Sequence, residues 1–177
     1  SHNTWKTDEM KALERFAIEN DVPVFCDHTS GYNGKNRLLF SLAASQSMFK
    51  FSSFQPDILI HIGEISGDNT TISGQRSWRV SEDGEIRDLF GNREYIFEMK
   101  EKNFFDYYSK NKKNNNDGYF ELCSNFLKKV RAKVPELPLS NIWLASKLAK
   151  NIPNGSAIHL GILNSLRSWN LFELPSS

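Results

Sequence analysis

Gln55-Pro56-Asp57-Ile58-Leu59-Ile60-His61-Ile62-Gly63 is the stretch that decides the fold. Four of the five residues from Ile58 to Ile62 are branched aliphatics, and the run is bounded by a proline-aspartate pair and a glycine. A short apolar run between such breakers reads as a buried strand. Upstream, Val22-Pro23-Val24-Phe25-Cys26 is a second such run, nearly all apolar, as suits a strand covered on both faces of a parallel sheet. Pro23 fits at the start of that strand, where a missing N–H costs least. Downstream, Trp78-Arg79-Val80 reads as a third strand with Glu82-Asp83-Gly84 as its turn, and Glu94 to Met99 as a fourth.

Helical patterns fill the intervals. Thr7 is the expected N-cap of the first helix, followed by Asp8 and Glu9, with Met10, Leu13, Phe16 and Ala17 on one face. Asn20-Asp21 ends it. After a polar loop from Asp27 to Asn36, a second helical pattern runs from Leu38 to Phe49. The character turns helical again from Asn103, with an aromatic block of Phe104, Phe105, Tyr107 and Tyr108. Lys110 to Asp117 is a polar connector. Asp117 is expected to cap a helix whose face is Tyr119, Leu122, Cys123, Phe126, Leu127 and Val130. Pro135 and Pro138 interrupt the chain, and Ser140 caps a helix carrying Ile142, Trp143, Leu144, Leu148 and Ala149. Ala157 to Gly161 reads as a last strand. Helices alternating with short buried strands define an α/β fold: a Rossmann-like open, mainly parallel sheet with helices on both faces.

The chain has 177 residues, enough to bury roughly 70% of the surface an unfolded chain exposes without a disulfide or metal staple. Lys plus Arg is 22 and Asp plus Glu is 21, a formal charge of 22 − 21 = +1. That balance lacks the basic footprint of a nucleic-acid partner. No apolar run approaches a membrane span and no signal-peptide pattern opens the sequence, so the composition reads as globular and cytoplasmic. Cys26 and Cys123 each sit in an apolar segment and are expected as buried free thiols.

Ligands of open α/β sheets bind at the carboxyl ends of the strands. The candidate crevice residues are Asp27, Ser30 and Gly31 in the first loop, and Gly63, Gly67 and Asn69 in the second. Gly63-x-x-x-Gly67 matches neither dinucleotide-binding nor P-loop spacing, and tight turns of a Rossmann-like sheet explain these glycines better than a nucleotide site does. His61 and His159 lie in apolar strands and are expected as hydrogen-bonded core histidines. His28, beside Asp27 after a strand, is the histidine best placed for chemistry. No nucleophile elbow accompanies it, and Asp68 with Asn69 is too little for a metal site. The residues alone assign no catalytic group and no metal ligand.

Several of these stretches, in this order, resemble one family. Residues 55–63, then Gln75-Arg76-Ser77-Trp78 with Val80 to Asp88, and upstream Val22 to Asp27 with Ser30-Gly31, are similar to the central domain of thiamine-diphosphate-dependent enzymes. Within them they resemble the menaquinone-pathway synthases that make 2-succinyl-5-enolpyruvyl-6-hydroxy-3-cyclohexene-1-carboxylate. Ile152-Pro153, Gly155-Ser156, the stretch to Gly161 and Arg167 resemble the lead-in to that family's pyrophosphate-binding domain, where glycine-asparagine-serine precedes an arginine. The interval from Gly161 to Arg167 fits. The family's serine falls on Leu163, while Asn164-Ser165 comes two positions later, which leaves the substrate open.

The resemblance implies a central domain over residues 1–135, and a helix, strand and lead-in over 136–177, as the middle of a longer polypeptide. It implies a transferase that decarboxylates 2-oxoglutarate and adds the product carbanion to isochorismate, using thiamine diphosphate and Mg²⁺. The family's glycine-aspartate-glycine cofactor motif and its catalytic glutamate belong to other domains. Gly67-Asp68-Asn69 lacks the final glycine, so neither cofactor nor turnover is expected of this chain alone. Arg167 is the residue carried over to a substrate carboxylate, with Asn164 and Ser165 beside it; a domain-interface ion pair is its other reading. The implied partners are the remaining domains and further copies of the parent chain, with no nucleic acid and no membrane span. Two alternatives stand beside this one. The parent is a diverged relative acting on another 2-oxo acid, or the domain holds a nucleotide or effector in its crevice.

Overall fold

The computed structural model describes residues 5–47, 54–63, 72, 74–86, 93–110 and 118–175. Helix α1 (Thr7–Glu19) carries Asp8 and Glu9 in its first turn, where carboxylates face the positive end of the helix dipole. The Glu9 carboxylate accepts from the Lys6 N–H at 3.0 Å. The cap is therefore Lys6, and Thr7, the expected cap, is the first helical residue. At the other end Asn20 donates Nδ2 to Phe16 O, and Asp21 turns the chain at φ 53°. The buried Asn36 side chain donates to Ala17 O and Val22 O, at 3.1 and 2.8 Å. One carboxamide thus ties the helix end, where Ala17 O also accepts from the Val22 N–H at 3.0 Å, to the approach to the next strand.

Strand β1 (Val24–Cys26) pairs in parallel with β2 (Arg37–Leu39), Val24 opposite Arg37 and Cys26 opposite Leu39. This corrects the expected helix from Leu38 to Phe49. The stretch divides into β2 and a one-turn helix, α2 (Ser41–Ala44), and residues 48–53 lie outside the described chain. The ladder to β1 satisfies the backbone of residues 37–39, and that outweighs the modest helix preference of leucine.

Strands β3 (Ile58–Ile62), β4 (Arg76–Ser81) and β5 (Arg93–Glu98) form a second parallel sheet in that order. Ile60 stands opposite Trp78, and a bulge shifts the β4–β5 register between Ser77 and Trp78. Helices α3 (Glu101–Lys110) and α4 (Tyr119–Arg131) follow. Residue 117, expected as the cap of α4, lies outside the described residues. The boundary residue is Gly118, at φ 66°, a left-handed conformation that glycine adopts without steric cost.

The core lies on two sides of the strands. Val24 and Cys26 of β1 join Ile60, Ile62 and Val80 in one cluster with Ala12, Leu13, Phe104 and Phe105 from α1 and α3. Phe25, between them, points the other way, to Leu38, Phe40, Ala43 and Ala44 with Cys123, Phe126 and Leu127 of α4. That alternation is the two-residue period of a strand, and it puts helices on both faces. The parallel ladders and two-sided cover make this a Rossmann-like α/β domain. Trp78, Phe97, Phe104 and Tyr108 pack edge to face or tilted, with centroids 4.6 to 6.5 Å apart. Cys26 and Cys123 are both buried and free, in different clusters. Burial above all pushes their thiols up, to about 12 and about 11.

Ser140 caps helix α5 (Asn141–Leu148), its Oγ accepting from the Trp143 N–H at 3.2 Å. Of the expected apolar residues only Ala149 is buried; Ile142, Leu144 and Leu148 are exposed, and Ala145, outside that expectation, is the residue of α5 that is buried. A short 3₁₀ turn (Ala149–Asn151) ends the element. Ala157 to Gly161, expected as a strand, is irregular and pairs with no strand among the described residues, and His159 is exposed there rather than in a core. The chain closes with helix α6 (Asn164–Trp169), entered through Leu163 at φ 78°. No helix among the described residues is long and apolar enough to cross a membrane.

Candidate functional site

Asp27, immediately after β1, is buried, and its Oδ1 accepts from the Thr29 N–H, the Thr29 hydroxyl and the Ser30 hydroxyl at 2.8 to 2.9 Å. Ser30 Oγ in turn accepts from the Asp27 N–H at 3.0 Å. The Ser30 carbonyl takes the indole N–H of Trp5 at 2.7 Å, and Gly31 follows at φ 65°. These are the bonds of an aspartate that closes its own loop. They fix the turn at the end of β1 firmly.

His28 projects from that turn toward the C-terminal helix. Its Nε2 lies 3.0 Å from both Trp169 O and Phe172 O. Carbonyls only accept, so Nε2 carries the hydrogen and the ring donates to the chain leaving α6. The His28 N–H also donates to Asn170 Oδ1 at 3.0 Å, and Asn170 is fully buried. The histidine expected to be best placed for chemistry therefore has its Nε2 engaged by two backbone carbonyls. Beside it Glu173 bridges two guanidiniums, Arg37 at 2.9 Å and Arg131 at 2.8 Å. Burial pushes the Glu173 carboxyl up, but the two arginines outweigh it and hold the group below its ordinary range.

A second polar cluster lies at the carboxyl ends of β3 and β4. Arg79, only 3% exposed, donates Nη1 to His61 Nδ1 at 3.2 Å and to Gly63 O at 3.4 Å. The arginine can only donate, so His61 Nδ1 accepts and the hydrogen of the neutral ring sits on Nε2. Arg79 Nη2 faces Ser81 Oγ at 3.4 Å and the Asp83 carboxylate at 3.7 Å. Nearby Glu101 is half-buried, and burial, reinforced by Glu82 and Glu9 and opposed by Arg79, pushes its carboxyl up. His61 is thus hydrogen-bonded, as its strand position suggests, but it is half-buried and belongs to neither core cluster.

Among the expected site residues, Asp27, Ser30 and Gly31 share the turn after β1, and Gly63, at φ 67°, ends β3. Gly67 and Asn69 lie outside the described residues. Asn164, Ser165 and Arg167 share α6, with Asn164 exposed and the other two half-buried. A Cβ on Gly161 would stand 3.8 Å from Ser165 Oγ. The contacts of His28 bring the β1 turn and α6 together. Arg79, Glu173 and Asn170 escape a reading of the sequence, although a charged residue between Trp78 and Val80 in a buried strand is itself a signal. Among the described residues no group of three His, Cys, Asp or Glu side chains could hold a metal ion.

A Rossmann-like α/β domain with a clamped C-terminal helix is the class of protein that this fold and site define. The chain is 29% identical over 100 residues to the 2-succinyl-5-enolpyruvyl-6-hydroxy-3-cyclohexene-1-carboxylate synthase of Bacteroides thetaiotaomicron, 56% of this chain and 18% of the relative. It is 33% identical over 101 residues to the synthase of that name in Bacteroides fragilis, again 56% and 18%, and 30% over 98 residues to that of Phocaeicola vulgatus, 55% and 17%. The resemblance read from the sequence is to these same synthases. The chain spans less than a fifth of the length of the curated relatives it matches. No family model matches it, and no solved structure does.

Proposed function

We propose that residues 1–135 are the central domain of such a synthase and residues 136–177 the lead-in to its pyrophosphate-binding domain. The similarity to the synthases over 56% of the chain carries this reading, and the parallel, two-sided fold agrees with it. The parent reaction is then release of CO₂ from 2-oxoglutarate and addition of the remaining four-carbon unit to isochorismate, a step of menaquinone biosynthesis. Thiamine diphosphate and Mg²⁺ would serve that chemistry from other parts of the polypeptide. This chain's own contribution is scaffold, together with Arg167 on α6. A guanidinium suits a substrate carboxylate because it binds both oxygens at once, and Asn164 and Ser165 on the same helix would lie alongside. The remaining domains, and further copies of the parent chain, are the partners this reading requires.

Leu163 favours a second reading, in which the parent acts on another 2-oxo acid. The backbone at this position has φ 78° and ψ −117°, and no serine hydroxyl is present there to meet a substrate. The two readings separate on the intact polypeptide, supplied with thiamine diphosphate and Mg²⁺. Condensation of 2-oxoglutarate with isochorismate supports the first. Failure on that pair with turnover of a different 2-oxo acid supports the second.

A further inference from the structure

Helix α6 is six residues long, too short to hold itself in water, so its position is set by what anchors it. The anchor at its C-terminal end is His28. The imidazole Nε2–H is shared between Trp169 O and Phe172 O, both at 3.0 Å, and the backbone N–H of the same residue holds Asn170 Oδ1 at 3.0 Å. Within the helix end, Asn170 N–H donates to Leu166 O at 2.9 Å and Phe172 N–H to Trp169 O at 3.1 Å. Trp169 O thus accepts twice, using both lone pairs. Arg167 lies two residues before Trp169, a rise of about 3 Å along the helix.

We propose that His28 is a positioning residue: with Asn170 it clamps the end of α6 to the turn after β1, and so sets where the Arg167 guanidinium meets a carboxylate-bearing substrate. The inference rests on the reading of Arg167 above. The turn that presents His28 is itself fixed by Asp27, Thr29 and Ser30, so the clamp has a rigid base. Its effect is geometric, and a displacement of about 1 Å in a binding group is enough to cost up to about a hundredfold in rate.

The test uses the intact polypeptide with His28→Ala and His28→Gln, each in the wild-type and the Arg167→Ala background. Glutamine carries an N–H₂ at nearly the reach of Nε2, and it can serve both carbonyls. His28→Ala should raise the KM for the carboxylate substrate about tenfold, and His28→Gln should restore most of it. In the Arg167→Ala background His28→Ala should add little. Hydrogen exchange in residues 164–173 should quicken about tenfold in His28→Ala, the equivalent of roughly one net hydrogen bond, and recover in His28→Gln. Unchanged exchange in residues 164–173 would overturn the clamp. Full multiplication of the two KM effects would overturn its link to Arg167. An Arg167→Ala variant with unaltered KM would instead remove the substrate role of Arg167, while exchange still reports whether His28 holds the helix. Should His28→Ala not fold, His28→Asn, too short to reach the carbonyls, carries the same comparison against His28→Gln.

Discussion

Replacing Glu173 with glutamine tests how the C-terminal segment is fastened. Glu173 Oε2 meets Arg37 at 2.9 Å and Oε1 meets Arg131 at 2.8 Å, and Arg131 also donates to Leu39 O at 3.3 Å. The carboxylate is 39% exposed and its partners 21% and 34%. Solvent therefore screens the pairs, and each is worth at most about 1 kcal/mol. Glutamine keeps one acceptor, turns an N–H₂ toward the other guanidinium and removes the charge. The expected loss is about 1 kcal/mol at neutral pH and low salt, a fall in Tm of roughly 2 to 4 °C for a chain of this size. Because the folded pKa lies below the ordinary 4.5, this stability is present above the unfolded value and is lost as pH falls through the folded one. Calorimetric or urea unfolding of both proteins should show the gap at pH 7 and its closure on acidification below about pH 4. It should also narrow at high salt. No gap at pH 7, or a gap indifferent to acid, would refute the bridge as an anchor.

Three further outcomes follow from the packing. Phe104 is 1% exposed and touches the rings of Trp78, Phe97 and Tyr108; Phe104→Ala should cost about 3 to 5 kcal/mol in urea unfolding. Leu163 is 54% exposed and holds φ 78°, so Leu163→Gly should relieve strain at little packing loss and stabilise by about 0.5 kcal/mol, net of glycine's greater unfolded-state freedom. Cys26 and Cys123 should resist a thiol reagent at pH 8 in the native protein and react at once in denaturant, because burial holds both as thiols.

The fold was legible wherever a segment's own pattern agreed with its tertiary neighbours. Ile58 to Ile62 reads as a strand from its aliphatic run and its breakers, and β4, β5 and the Ser140 cap are likewise local signals. Residues 37–39 are not legible in this way. Arg-Leu-Leu ahead of Phe-Ser-Leu-Ala-Ala suits a helix, and only the ladder to Val24–Cys26 makes it a strand. Ala157 to Gly161 fails for the opposite reason: its apolar run lacks a neighbouring strand. In α5 the large apolar side chains suggest the buried face, whereas Ala145 is what the structure buries there. The candidate site was less legible still. Arg167 comes from a resemblance, and the bond from His28 to Trp169 spans 141 positions that no local pattern encodes. His28 drew attention as a chemical group, and its hydrogen bonds to two carbonyls make it a mechanical one.

The most direct measurement for the central claim is a calorimetric titration of this 177-residue chain with thiamine diphosphate and Mg²⁺. The account predicts no saturable heat, because it places the cofactor centre in other domains of the parent polypeptide. Tight, stoichiometric binding would contradict it by placing that centre among these residues.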